Sequence, residues 1–479
     1  MTLNQEMVAE ITREVVARLQ AQLQANSASA PSGTEIRDGV FPTVDAAVKA
    51  ATIAQKKVER MSLEDRGKAV AIIKRMCEQN ASEWGRLELE ESKIGRLDHK
   101  IDKLKIVKNV LGVEAMRSEV RGDSTGVCMI EHAPWGVIGM VLPATHSIPT
   151  MSSNAINVIS SGNTAVFSPH PAAAGCAIMA LRAFNREFDR ELGVPNMITI
   201  MAEPSIKAAE EVFHHPGIAL LCVTGGPFVV KAASKSGKRV IAAGPGNPPV
   251  VVDETADLDH AAKSIITGAS FDNNLLCISE KEVFVVESVF DAFRAAMKRA
   301  GAFELDGPAV ERLSEAAFKF DGPGKGCGRA HLKRELVGRD VPELAAAAGV
   351  RVPAGTDLLF GETKADHAFV VEEQMMPFVP IVRVPNADAG IAQAVIAEHG
   401  YRHTAIIHSQ NMDTVTKMAR AMNTTLFVHN GPCTAALGSE SPGYLSFSIA
   451  TPTGEGVTTP MTFTRERQIV IGRGALRIV

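Results

Sequence analysis

The chain has 479 residues, of which 46% are hydrophobic and 22% charged, and its formal net charge is −4 at pH 7. This length predicts two or three domains, and the composition is ordinary for a globular protein. The charge balance argues against nucleic acid or an anionic membrane as a partner, and no apolar run is long enough to span a membrane. Because the N-terminus lacks the apolar segment of a secretory signal, we predict a cytoplasmic protein.

The N-terminal residues predict a helix joined to the remainder by a tether. Over residues 3–24, apolar side chains recur at every fourth position and charged side chains fill the others, a pattern typical of an amphipathic helix. Residues 25–35 have the Ala- and Ser-rich composition of a flexible linker. The arrangement suggests a docking peptide, and a helix packed on its own protein or a frayed terminus is the alternative.

Residues 43–118 predict a largely helical region without evident chemistry. Ser62 can cap one of its helices, because a serine oxygen accepts hydrogen bonds from the first free N–H groups of a helix. The predicted helices cover residues 44–60, 62–79, 83–92 and 99–113.

From residue 126 onwards, short β-rich runs alternate with helical segments. The predicted strands are 127–132, 136–142, 164–167, 197–200, 219–223 and 250–252, and the helices between them are 152–159, 175–186, 205–212 and 228–236. Such alternation predicts an open parallel sheet covered by helices on both faces. Sheets of this kind bind nucleotides at the carboxyl ends of their strands.

Two turns at the carboxyl ends of these strands are candidate cofactor-binding sites. Gly225 and Gly226 follow one strand and precede a helix, where glycine lets backbone N–H groups approach a phosphate. Ser168, Pro169 and His170 follow another strand and can shape an adenosine pocket. Neither turn is a full dinucleotide fingerprint, so ordinary tight turns remain the alternative.

Residues 254–445 predict a second α/β region, with strands near 283–286, 369–371, 405–407 and 426–428. The glycine-rich residues 322–328 predict an exposed loop, because the spacing is not that of a phosphate-binding loop. Residues 469–479 are β-rich, and a terminal strand of this kind often pairs with a neighbouring subunit.

Cys277 is the candidate nucleophile of the second region. It lies between the turn-forming Asn273 and Asn274 and the strand predicted over 283–286, where a substrate can approach it. A thiolate is the most reactive side-chain nucleophile near neutral pH. From spacing alone, a buried cysteine that serves only to fill the core is an equal alternative. The seven cysteines are odd in number and contain no Cys-x-x-Cys pair, so neither disulfides nor a metal site is predicted.

Five segments together resemble the aldehyde dehydrogenase superfamily, and within it the CoA-acylating branch found in bacterial microcompartments. They are APWGVIG at 133–139, SGNTAVFSPHP at 161–171, AGPGNPP at 243–249, NNLLC at 273–277 and EHGYRHTA at 398–405. The resemblance implies an α/β fold with a Rossmann-type nucleotide-binding domain, an α/β catalytic domain and a small β oligomerisation element. It also implies NAD as cofactor, CoA as co-substrate and a short-chain aldehyde as substrate.

The resemblance implies an encapsulation peptide over 1–24 that docks on shell proteins of a microcompartment, followed by a linker over 25–35. It implies an NAD-binding domain over 36–253, with a possible β excursion to the oligomerisation element at 118–133. A catalytic domain over 254–445 and a C-terminal oligomerisation segment over 446–479 complete the chain. It further implies a homodimer or homotetramer.

The resemblance also assigns catalytic roles. Cys277 becomes the nucleophile that attacks the aldehyde, and His146 or Thr145 the side-chain donor to the resulting oxyanion. An imidazole can donate one hydrogen bond, and its charge can change near pH 7. Glu373 resembles the glutamate that binds the nicotinamide ribose, with a solvated carboxylate as the alternative. No role is evident for His399 and His403, for which packing is the default.

Ala242 distinguishes this chain from the hydrolytic branch of the family. Hydrolytic relatives carry a glutamate there that activates water, and alanine cannot act as a base. We therefore expect acyl transfer to CoA rather than release of a carboxylic acid. A hydrolytic enzyme with its base elsewhere, and a non-catalytic cargo protein, remain alternatives.

Overall fold

The computed structural model describes residues 38–321, 330–439 and 441–472. The predicted N-terminal helix and linker, the glycine-rich loop over 322–328 and the last seven residues lie outside the described residues.

The first region forms a six-stranded sheet with the order β1-β6-β5-β4-β7-β8, and every neighbouring pair of strands is parallel. The region's elements are β1 (Val40–Phe41), α1 (Val44–Val58), α2 (Leu63–Gln79), α3 (Ala81–Ser92), α4 (Leu97–Lys105), β2 (Glu119–Asp123), β3 (Gly126–Pro134), β4 (Val137–Val141), α5 (Ser147–Ser160), β5 (Thr164–Ser168), α6 (Ala174–Leu192), β6 (Ile198–Met201), α7 (Ile206–His214), β7 (Leu220–Thr224), α8 (Pro227–Ser234) and β8 (Arg239–Ala243).

The sequence signals for this region are confirmed in their main features. The Ser62 hydroxyl accepts a hydrogen bond from the N–H of Asp65 at 3.1 Å, so it caps α2 as predicted. The helix predicted over 99–113 is shorter, because α4 ends at Lys105 and a 3-10 turn follows it. Helix α5 is buried along its whole length, which explains why it lacks the usual amphipathic pattern.

The second region forms a seven-stranded sheet with the order β11-β14-β15-β10-β9-β16-β17, again with parallel neighbours. Its elements are β9 (Pro249–Val252), α9 (Leu258–Ser270), β10 (Glu282–Val286), α10 (Glu287–Arg299), β11 (Phe303–Glu304), α11 (Gly307–Ala317), β12 (Phe318–Phe320), β13 (Ala330–Leu332), α12 (Val341–Ala348), β14 (Leu359–Thr363), α13 (Ala368–Val371), β15 (Phe378–Val384), α14 (Ala387–Ala397), β16 (Thr404–His408), α15 (Met412–Met422), β17 (Leu426–His429), β18 (Ile449–Ala450), β19 (Gly456–Val457) and β20 (Thr464–Gly472).

One predicted strand is a helix, and another predicted strand is confirmed but lies in the second sheet. Residues 369–371 lie in the short helix α13, because His367 caps the N–H of Phe369 and starts a helical turn in this apolar run. Residues 250–252 form β9, which pairs with β10 and β16 of the second sheet rather than joining the first. Chain order alone does not reveal this change of sheet, because both sheets are parallel and equally apolar.

A separate three-stranded antiparallel sheet joins residues 119–134 to β20. Strand β3 lies between β2 and β20, and nine residues of β3 pair with nine of β20. The sheet exposes apolar side chains, including Val120 at 68% and Val470 at 67%. No helix within the described residues is long and apolar enough to cross a membrane.

Candidate active site

Cys277 follows a strained turn at the end of α9. Asp272, Asn273 and Asn274 have φ values of 50°, 55° and 62°, so three successive residues other than glycine adopt the left-handed conformation. Each such residue costs about 1–2 kcal/mol relative to the right-handed helix. The turn therefore requires compensating interactions, and its side chains provide them.

The two asparagines hold the turn through hydrogen bonds to separate segments. The Asn273 amide donates to the carbonyl of Gly338 at 3.0 Å and to the Asp340 carboxylate at 2.8 Å. The Asn274 amide donates to the carbonyl of Glu280 at 2.9 Å. The polar pair that looked like a solvated turn in the sequence is thus buried and structural.

Cys277 and His146 line one cavity of about 500 Å³. The lining combines the apolar side chains of Phe271, Leu276, Ile278, Leu445, Phe447 and Ile449 with the charged ones of Asp102, Lys103, Lys105 and Lys108. Leu276 and Ile278 therefore face the cavity, as expected of residues that flank a nucleophile. The other flanking residue, Leu275, is buried away from it.

Burial keeps the sulfur protonated in this surrounding. Burial raises the pKa of the Cys277 thiol to about 12, and the nearby Glu373 carboxylate adds to the increase. The Lys281 ammonium opposes both effects. The thiol must therefore transfer its proton when it attacks a substrate, because the thiolate is the nucleophilic form.

Glu373 is a largely buried carboxyl group whose charge acts on this thiol. It lies 4.0 Å from the ammonium of Lys281, and its side chain is 19% exposed. Burial raises the pKa of Glu373 to about 7, and Lys281 limits the increase. Near neutral pH this carboxyl group can therefore both hold and release a proton. The reading of Glu373 as a solvated surface carboxylate is not supported.

His146 is buried, and it is the N-cap residue of α5. Its ring lies 5.7 Å from that of Phe447, and its Nδ1 has no hydrogen-bond partner. Burial and the ammonium groups of Lys103 and Lys100 lower the pKa of His146 well below its usual value. The imidazole is thus neutral at pH 7, and the expectation that its charge changes near pH 7 is wrong.

Thr145 is placed differently from its neighbour. It does not line the cavity, and its backbone carbonyl accepts hydrogen bonds from Lys100 at 2.5 Å and Lys103 at 3.2 Å. Of the two candidate donors to an oxyanion, the geometry favours His146.

The predicted cofactor residues lie at the carboxyl edge of the first sheet, outside this cavity. Ser168 ends β5, with Pro169 and His170 directly after it, and Gly225 and Gly226 separate β7 from α8. Strand β4 lies between β5 and β7 and pairs with both, so the two turns flank the point where strand order reverses. This is where open parallel sheets bind dinucleotides.

The surroundings of the two glycines at this edge differ. A Cβ atom at Gly225 would approach Cγ1 of Val229 to 2.8 Å, so glycine there permits close packing of the helix. At Gly226 the space is open. The edge therefore leaves room beside the N-terminus of α8, which fits the phosphates of a dinucleotide.

The structure also brings His403 close to the nucleophile. A Cβ atom at Gly246 would overlap the carbonyl oxygen of Cys277 and press on the His403 ring, so the three residues meet. His403 is buried, and its Nε2 has no partner. His399 is exposed and hydrogen-bonds to the carbonyl of Val371 at 2.6 Å.

Sequence reasoning missed a buried charged cluster behind the site. Lys100, Lys103, Asp272 and Glu88 are all at most 1% exposed. The helix containing the two lysines was taken as a region without chemistry. One signal was available: Lys100 and Lys103 share their helix face with Leu104 and Val107, at core positions where lysine is rarely found.

Comparison with known proteins identifies the family. The sequence model of the aldehyde dehydrogenase family matches residues 25–307. The chain is 43% identical to acetaldehyde dehydrogenase (acetylating) EutE of Salmonella typhimurium, over 100% of both chains.

Two solved structures are also similar. A propionaldehyde dehydrogenase from the Clostridium phytofermentans fucose utilisation bacterial microcompartment is 36% identical, with a TM-score of 0.88 over 92% of this chain and 100% of that one. The propionaldehyde dehydrogenase of Rhodopseudomonas palustris with bound CoA and an acylated cysteine is 38% identical, with a TM-score of 0.88 over the same shares.

We expect the neutral state of His403 to make the protein sensitive to acid. Burial lowers the pKa of His403 to about 4, and Lys281 contributes. The unfolded chain, with a pKa near 6.5, then binds more protons between these values, so stability present above pH 6.5 is lost as pH falls towards 4. In His403→Gln, the fall in unfolding free energy between pH 7 and pH 4.5 should be smaller by about 2–3 kcal/mol.

Urea denaturation at both pH values measures this difference. His260→Gln is the control, because its ring is exposed. Equal pH dependence in wild type and His403→Gln would contradict the expectation.

Proposed function

The chain belongs to the aldehyde dehydrogenase family, and we propose that it oxidises a short-chain aldehyde and transfers the acyl group to CoA through a thioester on Cys277. The observation that carries the proposal is the cavity that Cys277 and a neutral His146 line together. Such a site suits attack of sulfur on a carbonyl group, because the imidazole can donate a hydrogen bond to the carbonyl oxygen.

The first step is attack of the Cys277 sulfur on the carbonyl carbon, with loss of the thiol proton. Glu373 is the proposed acceptor, because its charge acts on the thiol and its pKa lies near 7. His146 would donate a hydrogen bond to the oxygen as negative charge develops there. This donor costs little reorganisation, since it is buried and held by the start of α5.

A nicotinamide dinucleotide, when bound, supplies the acceptor for the hydride that leaves the substrate carbon. Ser168, Pro169, His170, Gly225 and Gly226 are proposed to hold its adenosine and phosphate groups, and Glu373 its nicotinamide ribose. We propose NAD rather than NADP.

Release of the acyl group is proposed to require CoA. Ala242 is completely buried in β8, and its N–H donates to the Thr453 hydroxyl at 3.0 Å. It has no group that could activate water, so the thioester persists until the CoA thiol displaces Cys277. The acylating relatives support this choice over hydrolysis.

The apolar part of the cavity lining, which includes Leu276, Ile278 and Phe447, offers contacts to a short alkyl chain. Lys103, Lys105 and Lys108 line the same cavity. We propose acetaldehyde or propionaldehyde, the substrates that the relatives' names give.

Two further proposals concern assembly. We propose a homodimer or homotetramer joined through the sheet of β2, β3 and β20, whose exposed apolar side chains would be covered by a second copy. We also propose that the enzyme works inside a bacterial microcompartment in the cytoplasm and that residues 1–24 bind its shell. The similarity to a microcompartment enzyme supports this location.

The reaction is tested by NADH formation from propanal and NAD+, with and without CoA. We expect sustained turnover and propionyl-CoA only with CoA, and a weaker response with NADP+. Cys277→Ala should abolish turnover, and Cys128→Ala, in the β2–β3–β20 sheet, is the matched control. Sustained production of propionate without CoA would instead support a hydrolytic enzyme, and inactivity of the wild type would support a cargo role.

The donor to the oxyanion is tested by comparing two neighbours. His146→Ala should lower kcat by about 10²–10³-fold, as removal of one oxyanion donor does elsewhere. Thr145→Val should lower it less than about tenfold, because the backbone carbonyl that binds the lysines is kept. A larger loss in Thr145→Val than in His146→Ala would reverse the assignment.

The docking role is tested with residues 1–35 fused to a fluorescent protein in a bacterium that assembles microcompartments. We expect the fusion to co-purify with the compartments. The control carries Ile11→Asp and Leu19→Asp, which place charges in the apolar stripe. Equal recovery of both fusions, or of neither, would contradict the proposal.

A further inference from the structure

The buried charged cluster links two parts of the active site that are far apart in sequence. The Lys103 ammonium hydrogen-bonds to the Asp272 carboxylate, five residues before Cys277. The same ammonium donates to the carbonyl of Thr145, directly before His146. One side chain thus contacts both the turn that carries the nucleophile and the loop that carries the proposed donor.

The loop containing His146 is held on both sides by this cluster. Lys100 donates to the Thr145 carbonyl at 2.5 Å, and Glu88 accepts the N–H of Ser147 at 3.0 Å. Lys100 also lies 3.6 Å from both Glu88 and Asp272. The residues before and after His146 are therefore anchored to charges that are themselves connected.

The turn before Cys277 is held at the same point. Asp272 accepts the N–H of Arg96 at 2.9 Å, and its own N–H donates to Nδ1 of His99 at 2.9 Å. Asp272 opens the run of left-handed residues, where the backbone is least able to keep its position unaided. Loss of Lys103 would leave Asp272 with only the more distant Lys100 ammonium, 3.6 Å away, as its charged contact.

Burial of these charges is unfavourable in free energy unless each charge has a partner. Two ammonium groups and two carboxylates are at most 1% exposed, and their charges sum to zero. Removal of one member leaves another charge buried without its partner, whereas neutral replacement of an ion pair is often tolerated. This difference allows a positioning role to be separated from a role in stability.

We propose that Lys103 and Asp272 are positioning residues of the acylation step, which hold the Cys277 turn and the His146 loop at one fixed separation. The proposal rests on the proposed function and concerns Asp272, which does not line the cavity of Cys277, and Lys103, which does. Its physical basis is that a displacement of about 1 Å between reacting groups can lower a rate by about 100-fold.

The key variant is the neutral pair Lys103→Met with Asp272→Asn. We expect it to fold, because both members of this ion pair are then neutral. The rate of the NADH burst with propanal in the absence of CoA should fall by about 10–100-fold. Alkylation of Cys277 by iodoacetamide should stay within about twofold of wild type, because this reaction forms no oxyanion and does not need His146.

Asp272→Asn alone is the second variant. Asp272 does not line the cavity, so this change leaves the cavity walls as they are. Asparagine also tolerates the left-handed conformation. We expect a slower burst with the KM for propanal unchanged within about threefold.

The matched control applies the same two substitutions to Lys417 and Asp388, an exposed ion pair 2.5 Å apart. Lys417→Met with Asp388→Asn should keep wild-type rates. A wild-type burst in either cluster variant would overturn the proposal, as would an equal loss of burst and alkylation rates, which indicates a purely structural role. If the wild type itself shows no CoA-dependent turnover, the proposed function fails instead.

Discussion

The position of the nucleophile depends on hydrogen bonds that offset an unfavourable backbone. Three consecutive left-handed residues turn the chain from α9 towards Cys277, at a cost of about 1–2 kcal/mol each. Asp272, Asn273 and Asn274 recover this cost through contacts with residues from α4, the segment around 338–340 and the residues just after the cysteine. The position of Cys277 therefore depends on contacts with several segments that are distant in sequence.

The electrostatics of the cavity follow from the same burial. Burial keeps the thiol of Cys277 protonated and the imidazole of His146 neutral, and the ammonium groups of Lys103 and Lys100 add to the effect on His146. Neutral groups are easier to bury, and they can still exchange a proton or donate a hydrogen bond when the substrate arrives. Glu373 and Lys281 are the charges that adjust this balance, because they are close enough to shift the pKa of the thiol in opposite directions.

The region without evident chemistry proves to support the site. Helices α3 and α4 supply Glu88, Lys100 and Lys103, which enclose the loop of His146. Ion pairs of this kind contribute little net stability, since desolvation consumes most of the Coulomb energy, but they fix geometry when every member is paired. Helices α3 and α4, which precede every recognisable motif, thus contact the loop of His146.

The sequence by itself determined the family and the alternation of strands and helices, and it predicted Cys277 as the nucleophile. These depend on short segments and local periodicity, which can be recognised without knowing which residues are close in the folded structure. The tertiary structure alone decided that β9 belongs to the second sheet, that residues 369–371 are helical and that His146 but not Thr145 lines the cavity of Cys277. It alone revealed the partners of Lys103, because contacts between residues 42 and 169 positions apart leave no trace in local patterns. Burial also decided the charge of His146, since the pKa of a side chain is set by its three-dimensional surroundings.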